Sequence, residues 1–283
     1  MPRSDPAPGH DPNELTPLLP PEIEREIFEM TAAQFPGNAV NLMSVARRTQ
    51  VWMEQLIYKT ITLSDQQLCD KFLRTLDSRP ADFFTANVKS LCVPGDIEPL
   101  GAERVLKACQ GVINLAIWLP PQNTPLFPYV SSLRPIRLSI NVPALFGSPC
   151  EPDLKHPFFS RVEYLELVDW LDCASHLHIE YLSSCLTHLA LDFDRYTEGA
   201  TPRLRDILAS CPSLVVCLGL VSNDDAMIIA SDTLALAKID DPRLLILSDS
   251  DVVENWEASL GGSDESVWAF AEDIVASKIG KTS

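Results

Sequence analysis

His176 and His178, with one residue between them and close to Asp169, Asp172 and Cys173, form the one cluster in this sequence that gathers metal-ligand side chains. A zinc site needs three or four such groups converging at about 2.0–2.3 Å. A His-x-His pair sends both imidazoles to one face only in a strand, and this segment reads as helix or loop. These are surface histidines. His188 alternates with Leu189 and reads as the outer side of its strand, and His10 sits in a proline-rich leader. There is no Gly-x-Ser-x-Gly elbow and no His-Glu-x-x-His helix, and Gly261-Gly262 lacks the Lys-Ser/Thr of a phosphate loop. The expectation is a protein that is not an enzyme, with no catalytic residue, cofactor or metal.

The chain carries 39 acids against 22 bases, a net charge of −17. Such a surface repels phosphate, so nucleic acid is not an expected partner. Between Ser222 and Asp273, Lys238 and Arg243 are the only bases beside thirteen acids. That stretch reads as a solubilising surface, or as a face that recruits basic partners. No run approaches the roughly 18 apolar residues of a membrane span, and Met1–Asp11 has no apolar core. The expected location is cytoplasm or nucleus, with no membrane partner. The eight cysteines show no Cys-x-x-Cys and no paired spacing, which reads as reduced thiols used as small apolar residues.

The elements that would position a binding surface begin at Leu18. Pro20-Pro21 starts a helix, Glu22, Glu24 and Glu26 suit its positive end, and Ile23, Ile27 and Met30 recur on one face. Phe35-Pro36-Gly37-Asn38 breaks it. Val40 to Arg48 (VNLMSVARR) forms a second helix, and Val51, Trp52, Leu56 and Ile57 belong to a third. This order resembles the F-box, most closely the divergent F-box-like domains abundant in fungi. The resemblance covers about one sixth of the chain. It implies docking on the Skp-type adaptor of a cullin–RING ubiquitin ligase, with Leu19, Pro20, Ile23, Ile27, Leu42, Val45 and Trp52 carrying or supporting that surface.

Beyond it, an apolar-x-x-apolar-x-apolar pattern returns at Tyr58/Ile61/Leu63, Val88/Leu91/Val93, Val112/Leu115/Ile117, Leu133/Ile136/Leu138, Val162/Leu165/Leu167, Leu186/Leu189/Leu191 and Val215/Leu218/Leu220. The starts lie 21 to 30 residues apart, the period of a strand plus a helix. VLKACQGVINLAIWL and ILASCPSLVVCLGL repeat one phrase of helix, turn and strand. The pattern resembles irregular leucine-rich repeats. In that family an Asn or Cys past each strand satisfies buried backbone groups, and here only Asn141 and Asn223 fit. Trp118 and Trp170 fall just past strands, as recognition residues or loop-side core. The proline-rich stretches Pro120–Pro128 and Pro143–Pro157 read as slack connections. Two helices near the C-terminus, with Ser263 or Asp264 as an N-cap and Trp256 and Trp268 as anchors, would close the open end.

The expected fold is therefore an α/β repeat. A disordered leader (1–14) precedes a small all-α F-box-like N-terminal domain (15–57). An irregular leucine-rich-repeat solenoid (58–223) follows, with an acidic helical C-terminal cap (224–283). The expected function is substrate recognition for a ubiquitin ligase, the repeats binding a protein substrate. The alternative is an interaction scaffold that keeps the fold without ligase docking.

Overall fold

The computed structural model describes residues 19–35, 37–95, 97–121, 124–147, 149–194, 198–248, 251–261 and 266–282. The expected leader, 1–14, and the expected N-cap at Ser263 or Asp264 lie outside them. The chain divides into two compact units, Met1–Tyr58 and Lys59–Ser283.

The first unit contains helices α1 (Pro21–Gln34), α2 (Asn38–Leu42) and α3 (Arg47–Ile57). Proline in the first turn and Glu22 and Glu24 beside it start α1 as the sequence implies. Gly37 precedes α2 at φ 95°, a left-handed conformation that a side chain would strain.

In the second unit, β1 (Thr60–Thr62), β2 (Ser90–Pro94), β3 (Asn114–Trp118), β4 (Arg137–Asn141), β5 (Tyr164–Val168), β6 (His188–Asp192), β7 (Val216–Val221) and β8 (Leu244–Ser248) form one sheet in sequential order. Every pairing is parallel. Between the strands run α4 (Gln66–Ser78), α5 (Ala81–Asn87), α6 (Pro99–Ala108), α7 (Phe127–Val130), α8 (Val142–Phe146), α9 (Thr201–Ser210) and α10 (Asp224–Leu236). Parallel neighbours require crossovers, and these are right-handed almost without exception. A sheet that always advances in one direction therefore places its crossovers on one face and leaves the other bare.

Helices α11 (Val252–Leu260) and α12 (Val267–Thr282) cover that second face. Trp256 of α11 packs on Cys92 and Ala116, and Trp268, Ala271 and Val275 of α12 pack on Ala190, Val216, Leu218 and Leu245. Thr62 of β1 donates a hydrogen bond to Glu257 at 2.5 Å.

The expected α/β repeat of an all-α N-terminal domain, an irregular leucine-rich-repeat solenoid and a C-terminal cap is corrected here. The protein is an α/β fold built on one eight-stranded, all-parallel sheet. The segment expected to close one end adds β8 and then crosses the sheet face, so 224–283 belongs to the same unit as the strands.

The strand register shows why the pattern misled. The ladder aligns Ile61, Leu91, Leu115, Leu138, Leu165, Leu189, Cys217 and Leu244. Leu218, which the repeat pattern equates with Leu189, pairs instead with Ala190 and lies under α12. Strands buried on both faces become near-continuous apolar runs, and β7 reads Val-Cys-Leu-Gly-Leu-Val. With apolar residues at every position, the pattern fits either parity, and a slip of one residue exchanges the faces.

Described residues in and beside the proline-rich connections pack against one another. Phe127, Phe146, Phe158 and Phe159 form an aromatic cluster, with Phe158 and Phe159 edge to face at 4.8 Å. Asn141 and Asn223 do satisfy backbone groups, as helix N-caps: Asn141 accepts from the Ala144 N–H at 3.0 Å and Asn223 from the Ala226 N–H at 2.9 Å. Cys150 and Cys173 form a disulfide, which corrects the expectation of uniformly reduced thiols. Cysteines 23 apart carry no pairing signal, and only the fold sets the segments after β4 and β5 side by side. The other six cysteines are free. Burial pushes the thiols of Cys109 and Cys217 up to about 12 and that of Cys92 higher still, so they are packing groups and not nucleophiles.

Candidate docking surface

In α1 the apolar stripe faces outward. Ile23, Ile27 and Met30 recur at helical spacing and are 45%, 48% and 65% exposed. The opposite side holds the unit together. Glu24 receives two hydrogen bonds from Arg48 of α3, from Nε and Nη2, both at 2.7 Å. The guanidinium holds the Glu24 carboxyl below the usual carboxylate range. Phe28 lies 6.4 Å from Trp52 between ring centroids, and Ala32 and Met53 are buried. Thr49 is fully buried in the first turn of α3, donating to the Ala46 carbonyl at 2.6 Å and accepting from the Ala46 N–H at 2.9 Å.

A surface helix ordinarily turns its apolar stripe to the core. Here a polar pair, two aromatic rings and one alanine fill that role, and the aliphatic stripe is left to solvent. Of the residues expected to carry docking, Leu19, Pro20, Ile23, Ile27 and Val45 are exposed, and Leu42 and Trp52 are half-buried. Phe35, Val40 and Val51 are exposed as well, and sequence reasoning did not name them as surface. Met30 was legible, because it continues the Ile23–Ile27 spacing. Val40 and Val51 had no such signal, since the sequence does not say which apolar residues of these two short helices face inward.

The covered sheet face is the other place where polar and aromatic side chains gather. The Arg137 guanidinium stacks 3.6 Å from the Tyr164 ring centre, Tyr164 stacks on His188 at 4.2 Å, and Trp268 meets both rings edge-on. His188 is buried, which corrects its assignment to the outer side of the strand: the face is outer by strand parity, but α12 covers it. At the C-terminal ends of β5–β7, where ligands of open parallel sheets bind, a cavity of about 160 Å³ is lined by Glu166, Asp192, Asp194, Val168, Leu220 and Val252 among others. Burial raises the Asp192 carboxyl above its ordinary range. The cavity offers carboxylates and the Ser222 hydroxyl, and among the described residues that line it there is no histidine or thiol.

No protein-family model, curated protein or solved structure matches the chain.

The histidine cluster does not assemble. Cys173 is held in the disulfide, and His178 pairs with Glu180 at 2.9 Å. Among the described residues no group of three or more His, Cys, Asp or Glu side chains could hold a metal ion. Trp170 is fully buried with its indole N–H donating to the Asp192 carbonyl at 2.8 Å. Trp118 is half-buried and donates to Ser139 Oγ at 2.6 Å. Both belong to the packing of the sheet. Among the described residues no helix is long and apolar enough to cross a membrane.

Proposed function

We propose that this chain is a substrate-recognition adaptor of a cullin–RING ubiquitin ligase. In this reading α1–α3 form an F-box-like module that docks on a Skp-type adaptor, and the parallel-sheet unit engages a protein substrate. The observation that carries the reading is the outward apolar stripe of α1, where Ile23, Ile27 and Met30 are all about half exposed or more. Exposed apolar side chains gathered on a small unit mark an interaction surface. Burying the exposed half of each is worth about 1 kcal/mol per side chain, so the stripe could anchor a partner without help from charge. Catalysis would lie with the other ligase subunits.

The test is a pull-down of the purified chain with a Skp-type adaptor, wild type beside the Ile23→Asp/Ile27→Asp double variant, both checked for folding by circular dichroism. Capture by wild type and not by the variant supports the reading. If folded wild type fails to capture the adaptor, the ligase function is wrong and an interaction scaffold without ligase docking takes its place.

A further inference from the structure

Helix α10 has apolar residues on both of its sides. Ala230 and Leu234 are buried on the side that meets β7 and β8. On the other side Ile228, Ile229 and Leu236 are 59%, 60% and 74% exposed. A surface helix ordinarily turns its apolar residues to the core, and on α10 these three are left exposed. Asp225 and Asp232 share the exposed arc with the three aliphatic side chains, because residues 225, 229, 232 and 236 follow helical spacing. Asp224 and Asp240 lie at its two ends. Among the described residues no base pairs with Asp225 or Asp232, and the nearby Arg243 is taken up by Asp241 at 2.7 Å. Lys238 and Arg205 are exposed bases at the C-terminal end of this arc, where Arg205 is engaged in donating to the Ala237 carbonyl. A groove of about 290 Å³ lined by Thr201, Pro202, Arg205, Leu236 and Ala237 opens alongside.

We infer that the outer face of α10 is a docking site for a basic amphipathic helix of a partner protein. Its aliphatic side chains meet Ile228, Ile229 and Leu236, one of them entering the groove beside Leu236, and its lysines or arginines meet Asp225 and Asp232. The charge selects the partner: an apolar arc interrupted by unmatched carboxylates attracts a cationic helix and repels an acidic one or an anionic membrane. This site is independent of α1–α3 and stands whether or not they dock a ligase adaptor.

The probe is a synthetic amphipathic peptide with leucines at i, i+3, i+4 and i+7 and lysines on the flanks, beside the same peptide with glutamates replacing the lysines. Isothermal titration measures affinity, and hydrogen exchange locates the contact. The lysine peptide should bind and protect α10, and the glutamate peptide should bind at least tenfold more weakly. Ile229→Ser/Leu236→Ser should reduce lysine-peptide affinity tenfold or more, and Asp225→Lys/Asp232→Lys should invert the preference between the peptides. Equal binding of the two peptides, no binding of the lysine peptide, or protection away from α10 would overturn the inference. So would sedimentation showing a wild-type dimer that Ile229→Ser/Leu236→Ser converts to monomer, since a second copy would then cover the face.

Discussion

His188 Nε2 on β6 lies 2.8 Å from the Glu272 carboxylate on α12, joining strand and covering helix across 84 residues of sequence. On its other side Nδ1 meets the Thr187 hydroxyl at 2.8 Å. The imidazole is closed in by Tyr164 and Trp268, so this bond sits where the last helix is pressed onto the sheet.

Burial lowers the His188 pKa from its ordinary 6.5, as does the Arg137 charge, against the raising effects of Glu272 and Glu163. The unfolded chain therefore binds the proton more readily than the folded one. Stability from this group is fully present above pH 6.5 and is lost as pH falls from there through the folded-state value. Urea midpoints measured between pH 8 and pH 5 (a range of roughly that width around 6.5) should fall toward acid for wild type. His188→Gln should flatten the part of the slope that begins near pH 6.5. An unchanged slope would assign the acid sensitivity to other groups.

Trp268 is 8% exposed and touches the apolar groups of β6, β7 and β8 together with the Tyr164 and His188 rings. Trp268→Ala should cost about 3–5 kcal/mol, the range for emptying a buried tryptophan site. Hydrogen exchange in α12 should rise far more than in β3, because α12 loses its anchor while the inner strands keep their ladder. Equal loosening throughout would mean that α12 unfolds only with the whole unit.

The Cys150–Cys173 bond closes a loop of 23 residues. By the chain-entropy relation such a loop is worth about 3 kcal/mol. Cys150→Ser/Cys173→Ser should lower the urea midpoint by a corresponding amount, and a reductant should do the same to wild type and nothing to the variant. Mass spectrometry of the alkylated native protein should find six reactive thiols after unfolding, matching the six free cysteines.

Ile23→Asp/Ile27→Asp changes two exposed side chains and should leave stability within about 0.5 kcal/mol of wild type. Met53→Asp, fully buried beneath the same helices, should unfold them. Circular dichroism melts compare the two. A large loss for the double variant would show that the α1 stripe supports its own unit, and adaptor capture could then not be read from that variant.

Part of this protein was legible in its sequence. The helix start at Pro20-Pro21, the 3–4 spacing of Ile23, Ile27 and Met30, and the return of short apolar strands every 21 to 30 residues are local signals. They depend on backbone geometry within one element, and the elements formed where those signals lie. The phase of β7 was not legible, since a strand buried on both faces is apolar at every position and neither parity stands out.

Tertiary structure decided the rest. Spacing shows that α1 has an apolar stripe but not which way it turns. The Glu24–Arg48 pair and the Phe28–Trp52 contact decide that, and they bring together residues 24 apart in sequence. Local pattern likewise gives α11 and α12 their helical form without their destination. They cross the sheet and do not close its end, because sequential right-handed crossovers leave one face bare and the two tryptophans find their apolar partners there. Burial is a property of what a side chain meets, and for His188 and Cys173 the partner lies far along the chain.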